Sequence, residues 1–155
     1  MRLEYFELVD KIEELNLSEG RILVRGNVPA ASPVFEGHFP GHPLVPGVLF
    51  VEFMAQASGW ILLCKLNFEK MGFLASVKEA KMRTFVQPST PLLAEARIEH
   101  EGSGFGVTKC KVRKEDGTPV ADATITLRVM PFPNPEFAEV MRKRAEQIGF
   151  NTAPA

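Results

Sequence analysis

The sequence predicts an α+β domain in which a curved antiparallel sheet wraps one long, buried helix and a second helix follows at the C-terminus. Two observations favour this fold class. Residues 48–66 contain no proline and are apolar on almost every face, whereas residues 73–129 form consecutive extended patterns separated by short turns. A helix that is apolar all round needs cover on nearly every side, and a flat sheet covers only one. We therefore expect the sheet to curl around the helix.

Ahead of the central helix, the chain offers two extended candidates, residues 8–15 and 21–28, with a turn between them. The first candidate also fits a helical period, and the pattern does not decide between strand and helix. Residues 29–47 are so rich in proline and glycine that we expect neither a helix nor a long strand there. Apolar side chains within this loop indicate that it packs on the body of the domain.

The strands after the central helix are expected at residues 73–86, 92–101, 104–114 and 119–129. Short turns between them favour antiparallel order. A C-terminal helix is expected over residues 134–149, because Asn134 is a typical cap, Pro135 a typical first residue and Gly149 a typical stop. The apolar face of this helix would carry Phe137, Val140, Met141, Ala145 and Ile148.

Composition limits the functions open to the chain. Its 155 residues suit one domain, residues 1–155, with a core at residues 21–130. The net charge of −1 provides no field that would hold nucleic acid or an anionic membrane, so neither is an expected partner. Glu52 and Gln56 interrupt the longest apolar stretch, which indicates a buried helix and no membrane span. Two cysteines without metal-like spacing, and a start unlike a secretion signal, favour a cytoplasmic protein.

Glu52 is the polar residue that the helical pattern does not explain. It lies one turn into an otherwise apolar helix, where a lone carboxylate is costly unless it is neutral or paired. A carboxylic acid in an apolar wall can keep its proton and donate it as a general acid. A structural carboxyl bonded to a backbone amide explains the residue equally well. Gln56 and Gly59 fall on the same stripe of the helix as Glu52.

The loop before the helix supplies further candidates. His38, among glycines and prolines, is free to point into a pocket, and imidazole suits proton abstraction near neutral pH, although a surface histidine is the alternative. His42 follows it, but Pro40 and Pro43 forbid the helix that would align the two as metal ligands, so no metal site is predicted. Gly47 places a backbone N–H at the positive end of the helix, where it can polarise a carbonyl group.

Together, the loop and the helix start form a far more specific string. Residues 35–59 read FEGHFPGHPLVPGVLFVEFMAQASG, which closely resembles the signature of the FabZ-type 3-hydroxyacyl-[acyl-carrier-protein] dehydratases. Residues 73–92 are similar to the strand that follows the central helix in that family. The resemblance covers most of residues 21–129, whereas the start, LEYFELVDKIEEL, departs from the usual family pattern. It implies the hot-dog fold, an architecture that the apolar pattern also predicts.

The resemblance implies roles for individual residues. The histidine of the GHFPG string is the family's catalytic base, here His38, and the glutamate of the helix is its acid, here Glu52. The glycine of the PGV string binds the thioester carbonyl through its N–H, here Gly47. Because the sibling FabA type usually has aspartate at the helix position, Glu52 favours dehydration without isomerisation. Residues assigned to substrate binding beside these are Val48, Gln56 and Phe39. Residues that can line an acyl tunnel, if they are not simply core, are Phe50, Phe53, Trp60, Met71 and Phe85.

The resemblance also implies partners. The substrate would arrive on the phosphopantetheine arm of an acyl carrier protein, and no metal or other cofactor is implied. The minimal unit would be a homodimer in which the histidine of one subunit faces the acid of the other, and some members form trimers of dimers. The unusual start and the basic C-terminal helix resemble dehydratases that serve a specialised carrier of very-long-chain acyl groups in bacterial lipid A. A hot-dog acyl thioesterase and a non-catalytic acyl-binding subunit remain alternatives.

Overall fold

The N-terminal part of the chain forms a short turn and two paired strands. Our computed structural model describes residues 1–151. A 3₁₀ turn at Leu3–Tyr5 precedes β1 (Lys11–Asn16) and β2 (Arg21–Asn27), which pair antiparallel. The first segment, whose pattern allowed a helix or a strand, is therefore a strand at its C-terminal half. Ile12 is the side chain that β1 buries in the core.

The proline-rich segment contains a short helix, α1 (Pro33–Gly37), so the expectation of no helix in residues 29–47 is wrong at this point. The helix forms because Ser32 caps it, its Oγ accepting a hydrogen bond from the Val34 N–H at 3.2 Å. Pro33 takes the first helical position, where a missing N–H costs nothing. Phe35 is buried, as expected for a segment that packs on the body, whereas Phe39 is 49% exposed.

α2 (Gly47–Lys65) is the central helix, and most of its side chains are buried. Four strands follow it: β3 (Lys70–Met82), β4 (Pro91–Gly102), β5 (Phe105–Lys114) and β6 (Pro119–Pro131). All neighbours in the six-stranded sheet are antiparallel, and the order is β1-β2-β4-β5-β6-β3. Five of the six strands, β2 to β6, contact α2. The predicted sheet wrapped around a helix is therefore confirmed.

The length and apolarity of α2 would allow it to cross a membrane, but most of its residues lie inside the domain. Core helices of globular proteins have the same composition for the same reason, since both are surrounded by apolar groups. We therefore interpret α2 as the core helix that the sequence predicts.

α3 (Pro135–Gln147) is the predicted C-terminal helix. It begins at Asn134, whose Oδ1 accepts a hydrogen bond from the Phe137 N–H at 2.8 Å. Ala145, together with Ile148 just beyond the helix, is buried, and Met141 is partly buried against the core. Val140 is 59% exposed, so its assignment to the apolar face is wrong. The reason is that each residue turns the helix by about 100°, which points position 140 away from the stripe formed by 141, 145 and 148.

Both cysteines are free and lie inside the core. Burial raises the pKa of the Cys64 thiol to about 12. Burial also raises the pKa of Cys110, whose Sγ lies 3.1 Å from Ser58 Oγ in a buried polar cluster with Thr108. A thiol that stays protonated is a poor nucleophile, so neither cysteine is a candidate for the chemistry of the site.

β2 passes so close to the N-terminal segment that position 26 has no room for a side chain. A Cβ on Gly26 would overlap the backbone oxygen of Leu8 and the side chain of Met1. Because a backbone oxygen cannot rotate away, we expect Gly26→Ala to lower the free energy of unfolding by about 1–3 kcal/mol. Gly37→Ala is the matched control, since nothing lies within 4 Å of a Cβ there. Urea unfolding measures both variants, and equal midpoints would contradict this packing.

Candidate active site

A cavity of about 360 Å³ lies along one face of α2. Glu52, Gln56, Gly59 and Leu63 line it from the helix, and their spacing gives it a length of roughly 16 Å at 1.5 Å per residue. The volume lies in the range of small-molecule sites. The opposite walls consist of residues 6–9, residues 71–74 of β3, Leu127 of β6, and Met141 and Arg144 of α3.

Glu52 lies towards the N-terminal end of α2, at one end of this cavity. The sequence predicts an apolar surrounding for its carboxyl, but the side chain is only half-buried and has a polar partner. Gln56 Nε2 donates a hydrogen bond to Glu52 Oε1 at 2.9 Å, as the shared helical stripe suggested. This bond uses Oε1 as an acceptor, so a proton donated by the acid would be carried on Oε2.

Gln56 connects Glu52 to the N-terminal segment. Its Nε2 also donates to the backbone oxygen of Phe6 at 2.6 Å, and its Oε1 accepts from the Leu8 N–H at 3.2 Å. Both amide protons and the amide oxygen are therefore used, which fixes the orientation of the side chain. The N-terminal segment thus holds the Gln56 amide, and that amide in turn holds the Glu52 carboxyl.

His38 lies immediately after α1, in a loop held by hydrogen bonds between residues close together in the sequence. Its Nδ1 is 2.9 Å from the carbonyl oxygen of Leu44. A carbonyl oxygen can only accept, so Nδ1 is the donor, and in the neutral imidazole Nε2 then keeps the lone pair that a general base needs. The imidazole ring stacks on Phe39 at 4.1 Å between centroids, and Val45 ties the loop to the body through a bond from its N–H to the Val86 oxygen at 2.9 Å.

Gly47 is the first residue of α2, and the first N–H groups of a helix have no acceptor within it. This end of the helix is also the positive end of its dipole, which favours a developing negative charge. A Cβ on Gly47 would lie 3.3 Å from Met82 Cγ, so the start of α2 lies beside the end of β3. Val48, the next residue, is 74% exposed.

The single chain brings only some of the predicted site residues together. Glu52 and Gln56 line the cavity, but His38, Gly47 and Val48 do not, and Phe39 lines a shallower depression beside α1. Among the aromatic and sulfur-containing tunnel candidates, the two that line the cavity are Trp60 and Met71. The two that belong to the buried core are Phe50 and Phe53, and the one that is largely exposed is Phe85.

No group of three or more histidine, cysteine or acidic side chains within residues 1–151 is placed to hold a metal ion. His42 is exposed, and its backbone is engaged in two hydrogen bonds with Phe39. The cavity itself presents the carboxyl of Glu52 and the amide of Gln56.

A family model described as the FabA-like domain matches residues 2–124 of the chain. The FabZ 3-hydroxyacyl-[acyl-carrier-protein] dehydratase of Ruminiclostridium cellulolyticum is 41% identical, over 77% of this chain and 84% of the relative. The enzyme of the same name from Thiobacillus denitrificans is also 41% identical, over 81% of this chain and 90% of the relative. The chain belongs to the FabA-like family and is of the FabZ type.

Solved structures support the fold of this FabZ-type chain. A hypothetical thioesterase from Streptococcus pneumoniae, solved with coenzyme A, superimposes with a TM-score of 0.62 over 80% of this chain and 88% of its own length. A protein of Streptococcus mutans bound to acetyl CoA gives 0.63 over 80% and 90%. Both are 17% identical to this chain, so they inform on architecture alone, and that architecture is the predicted hot-dog fold.

Two parts of the candidate site were not predicted from the sequence. The backbone of residues 6–8 holds Gln56, and backbone groups leave no trace in a residue pattern. α3 contributes Met141 and Arg144 to the cavity although it lies beyond the residues that match the family model. The apolar residues of α3 did signal a packed face, but they did not show that this face meets a cavity.

We expect the substitution Gln56→Leu to release the N-terminal segment. The change leaves the Leu8 N–H and the Phe6 oxygen without partners, which costs about 1–3 kcal/mol of unfolding free energy. Hydrogen–deuterium exchange at the Leu8 amide should become faster, and thermal unfolding should occur at a lower temperature. Gln87→Leu is the control, because Gln87 is exposed. Unchanged protection of Leu8 would show that Gln56 does not hold the segment.

Proposed function

We propose that this chain removes water from (3R)-hydroxyacyl thioesters carried on acyl carrier protein and releases the trans-2-enoyl thioester, and that it is thus a hydro-lyase. The observation that carries this proposal is the position of Glu52 at one end of a largely apolar cavity, in a chain of the FabZ type. Its carboxyl accepts a hydrogen bond from Gln56 there. The cavity suits an acyl chain, and the carboxyl suits a leaving hydroxyl group.

In the proposed reaction, the thioester carbonyl accepts a hydrogen bond from the Gly47 N–H, which acidifies the neighbouring C2 proton. His38 removes that proton through Nε2, and the electron pair of the broken C2–H bond forms the new C2–C3 double bond. The C3–O bond breaks as Glu52 protonates the hydroxyl group, which leaves as water. Phe39 and Val48 would flank the thioester. We propose that no metal or other cofactor takes part beyond the phosphopantetheine arm that carries the substrate.

We further propose that the acid and the base come from two copies of the chain. Glu52 lies in a cavity that His38 does not line, which supports a site completed by a second copy. β3 is the last strand at its edge of the sheet, and it exposes four large apolar side chains: Phe73, Leu74, Val77 and Met82. A long apolar edge is a template for pairing with another chain. A homodimer joined along β3 would cover this edge, and three such dimers can form a hexamer.

The start of α2 supports this arrangement, since Gly47 lies beside Met82 at the end of β3 and Val48 is largely exposed next to it. A second copy that covers β3 would therefore also cover the proposed carbonyl site. We also place the protein in the cytoplasm, where buried reduced thiols such as Cys64 and Cys110 persist.

A thioesterase reaction is the competing proposal, and one assay separates the two. Purified protein is mixed with 3-hydroxydecanoyl-carrier protein, and enoyl absorbance and free thiol are followed together. We expect enoyl absorbance to rise without thiol release. Thiol release without an enoyl product would overturn the dehydratase proposal. If neither enoyl absorbance nor free thiol rises although the protein binds the acyl group, the protein is an acyl-binding subunit.

A specialised very-long-chain carrier in lipid A synthesis remains our narrower proposal for the partner. The basic residues of α3, Arg142, Lys143 and Arg144, are its support. The described cavity is roughly 16 Å long beside α2, so a very long acyl chain would have to continue past α3. Comparing rates on a general and a specialised carrier, each loaded with the same acyl group, decides between the two partners.

We expect His38→Ala and Glu52→Gln each to abolish dehydration, with a loss of about a hundredfold or more, while thermal unfolding stays near that of the unchanged protein. Mixing the two variants gives a sharper result. If each site takes its histidine and its glutamate from different copies, a mixed dimer contains one intact site and regains part of the activity. If both groups act within one copy, every site in the mixture is damaged and nothing is regained. Co-refolding of the two variants, followed by the enoyl assay, measures this.

A further inference from the structure

α3 lies outside the part of the chain that matches the family model, yet it forms part of the cavity wall. The match ends at residue 124, whereas α3 begins at Pro135 and supplies Met141 and Arg144 to the lining. The reacting groups and this wall thus come from different parts of the sequence.

α3 is a fixed wall and not a loose tail. Ala145 is 0% and Ile148 is 1% exposed, so the C-terminal end of the helix is anchored in the core. Arg144 Nη2 donates to the backbone oxygen of Val9 at 3.1 Å, which joins α3 to the N-terminal segment, another part of the cavity wall. Arg142 Nη2 donates to the backbone oxygen of Asn67 at 3.2 Å.

The Arg142 contact also places Met141 along the cavity. Asn67 follows the end of α2 at Lys65, so the turn of α3 that carries residues 141 and 142 lies beside the C-terminal end of α2. Glu52 lies towards the opposite end of the helix, thirteen residues before Lys65 and so roughly 20 Å away at 1.5 Å per residue. Met141 therefore meets the cavity at the end remote from the acid, where the tail of an acyl chain would lie.

We propose that Met141 is a specificity-determining residue that sets how long an acyl chain the cavity accepts. This inference rests on the proposed function for the identity of the ligand. The methionine side chain is partly buried against the core, so it can neither swing freely into solvent nor leave the wall. In an apolar pocket, adding or removing a single methylene changes discrimination by about tenfold or more, so a side chain in the wall beside the acyl tail can select chain length.

Binding can be measured without any reaction, because Trp60 is the only tryptophan of the chain and it lines the cavity. Butyryl-, decanoyl- and palmitoyl-coenzyme A have no 3-hydroxyl group and so cannot lose water. Fluorescence titrations with these thioesters therefore report on occupancy alone. We expect Met141→Ala to raise the preference for palmitoyl over butyryl by about tenfold, and Met141→Phe to lower it by a similar factor. Val140→Ala is the matched control, since Val140 is 59% exposed on the same helix and does not line the cavity.

The same ratio is then measured in turnover, as kcat/KM for 3-hydroxypalmitoyl against 3-hydroxybutyryl substrates. If either folded Met141 variant keeps the chain-length preference of the unchanged protein in the titrations, the inference is overturned. Should Met141→Ala unfold, Met141→Phe alone still decides, because a bulkier side chain must shorten the cavity. Chain-length-dependent binding without dehydration would support the role of Met141 and sink the proposed function. Dehydration with a chain-length preference that does not change in the Met141 variants would support the proposed function and overturn the role of Met141.

Discussion

α2 is apolar round nearly its whole circumference, so every side of it must be covered. Each large side chain moved from water into the core contributes about 1.5–3 kcal/mol, and α2 carries many of them, among them Phe53, Ile61 and Leu62. Four strands, β2, β4, β5 and β6, provide cover on one side. The remaining side is covered by the N-terminal segment, by β3 and by α3, and these three elements come from distant parts of the chain. The cover is incomplete along one stripe, and that gap is the cavity.

The stripe is where polar and small residues replace the apolar ones. A Cβ on Gly59 would meet nothing within 4 Å, so this glycine keeps the middle of the cavity open. Glu52 and Gln56 can sit on the same stripe because they satisfy each other and because Gln56 reaches the backbone of residues 6–8. A carboxyl on any fully covered face of α2 would lack such partners and would destabilise the domain. The open stripe that leaves space for a ligand thus also lowers the free-energy cost of placing the Glu52 carboxyl on α2.

The sequence predicted those elements whose own residues carry the signal. Alternation defined β4 to β6, continuous apolarity defined α2, and a cap with a following proline defined α3. The helix α1 was missed because proline and glycine dominate its surroundings, although Ser32 followed by Pro33 is a recognisable start. His38 and Glu52 were predicted through the motif that joins them, but local spacing could not show that His38 does not line the cavity beside Glu52. Contacts made through backbone atoms, such as those of Phe6 and Leu8 with Gln56, depend on the fold and cannot be read from side-chain patterns.

The two ends of the cavity are subject to different physical demands. In the proposed mechanism, a base, an acid and a hydrogen-bond donor must meet the substrate within hydrogen-bonding distance at the Glu52 end, where a second copy would supply His38, and a shift of an ångström there is costly to the rate. Each of the three proposed groups has a rigid support: the His38 bond to Leu44, the Gln56 bond to Glu52 and the first turn of α2. At the far end only volume and apolarity matter, because a hydrocarbon tail makes no directional contacts. A helix outside the motif-bearing region can therefore form that end, and under the proposed function a change in α3 would alter the accepted chain length without disturbing the groups proposed to break the C–O bond.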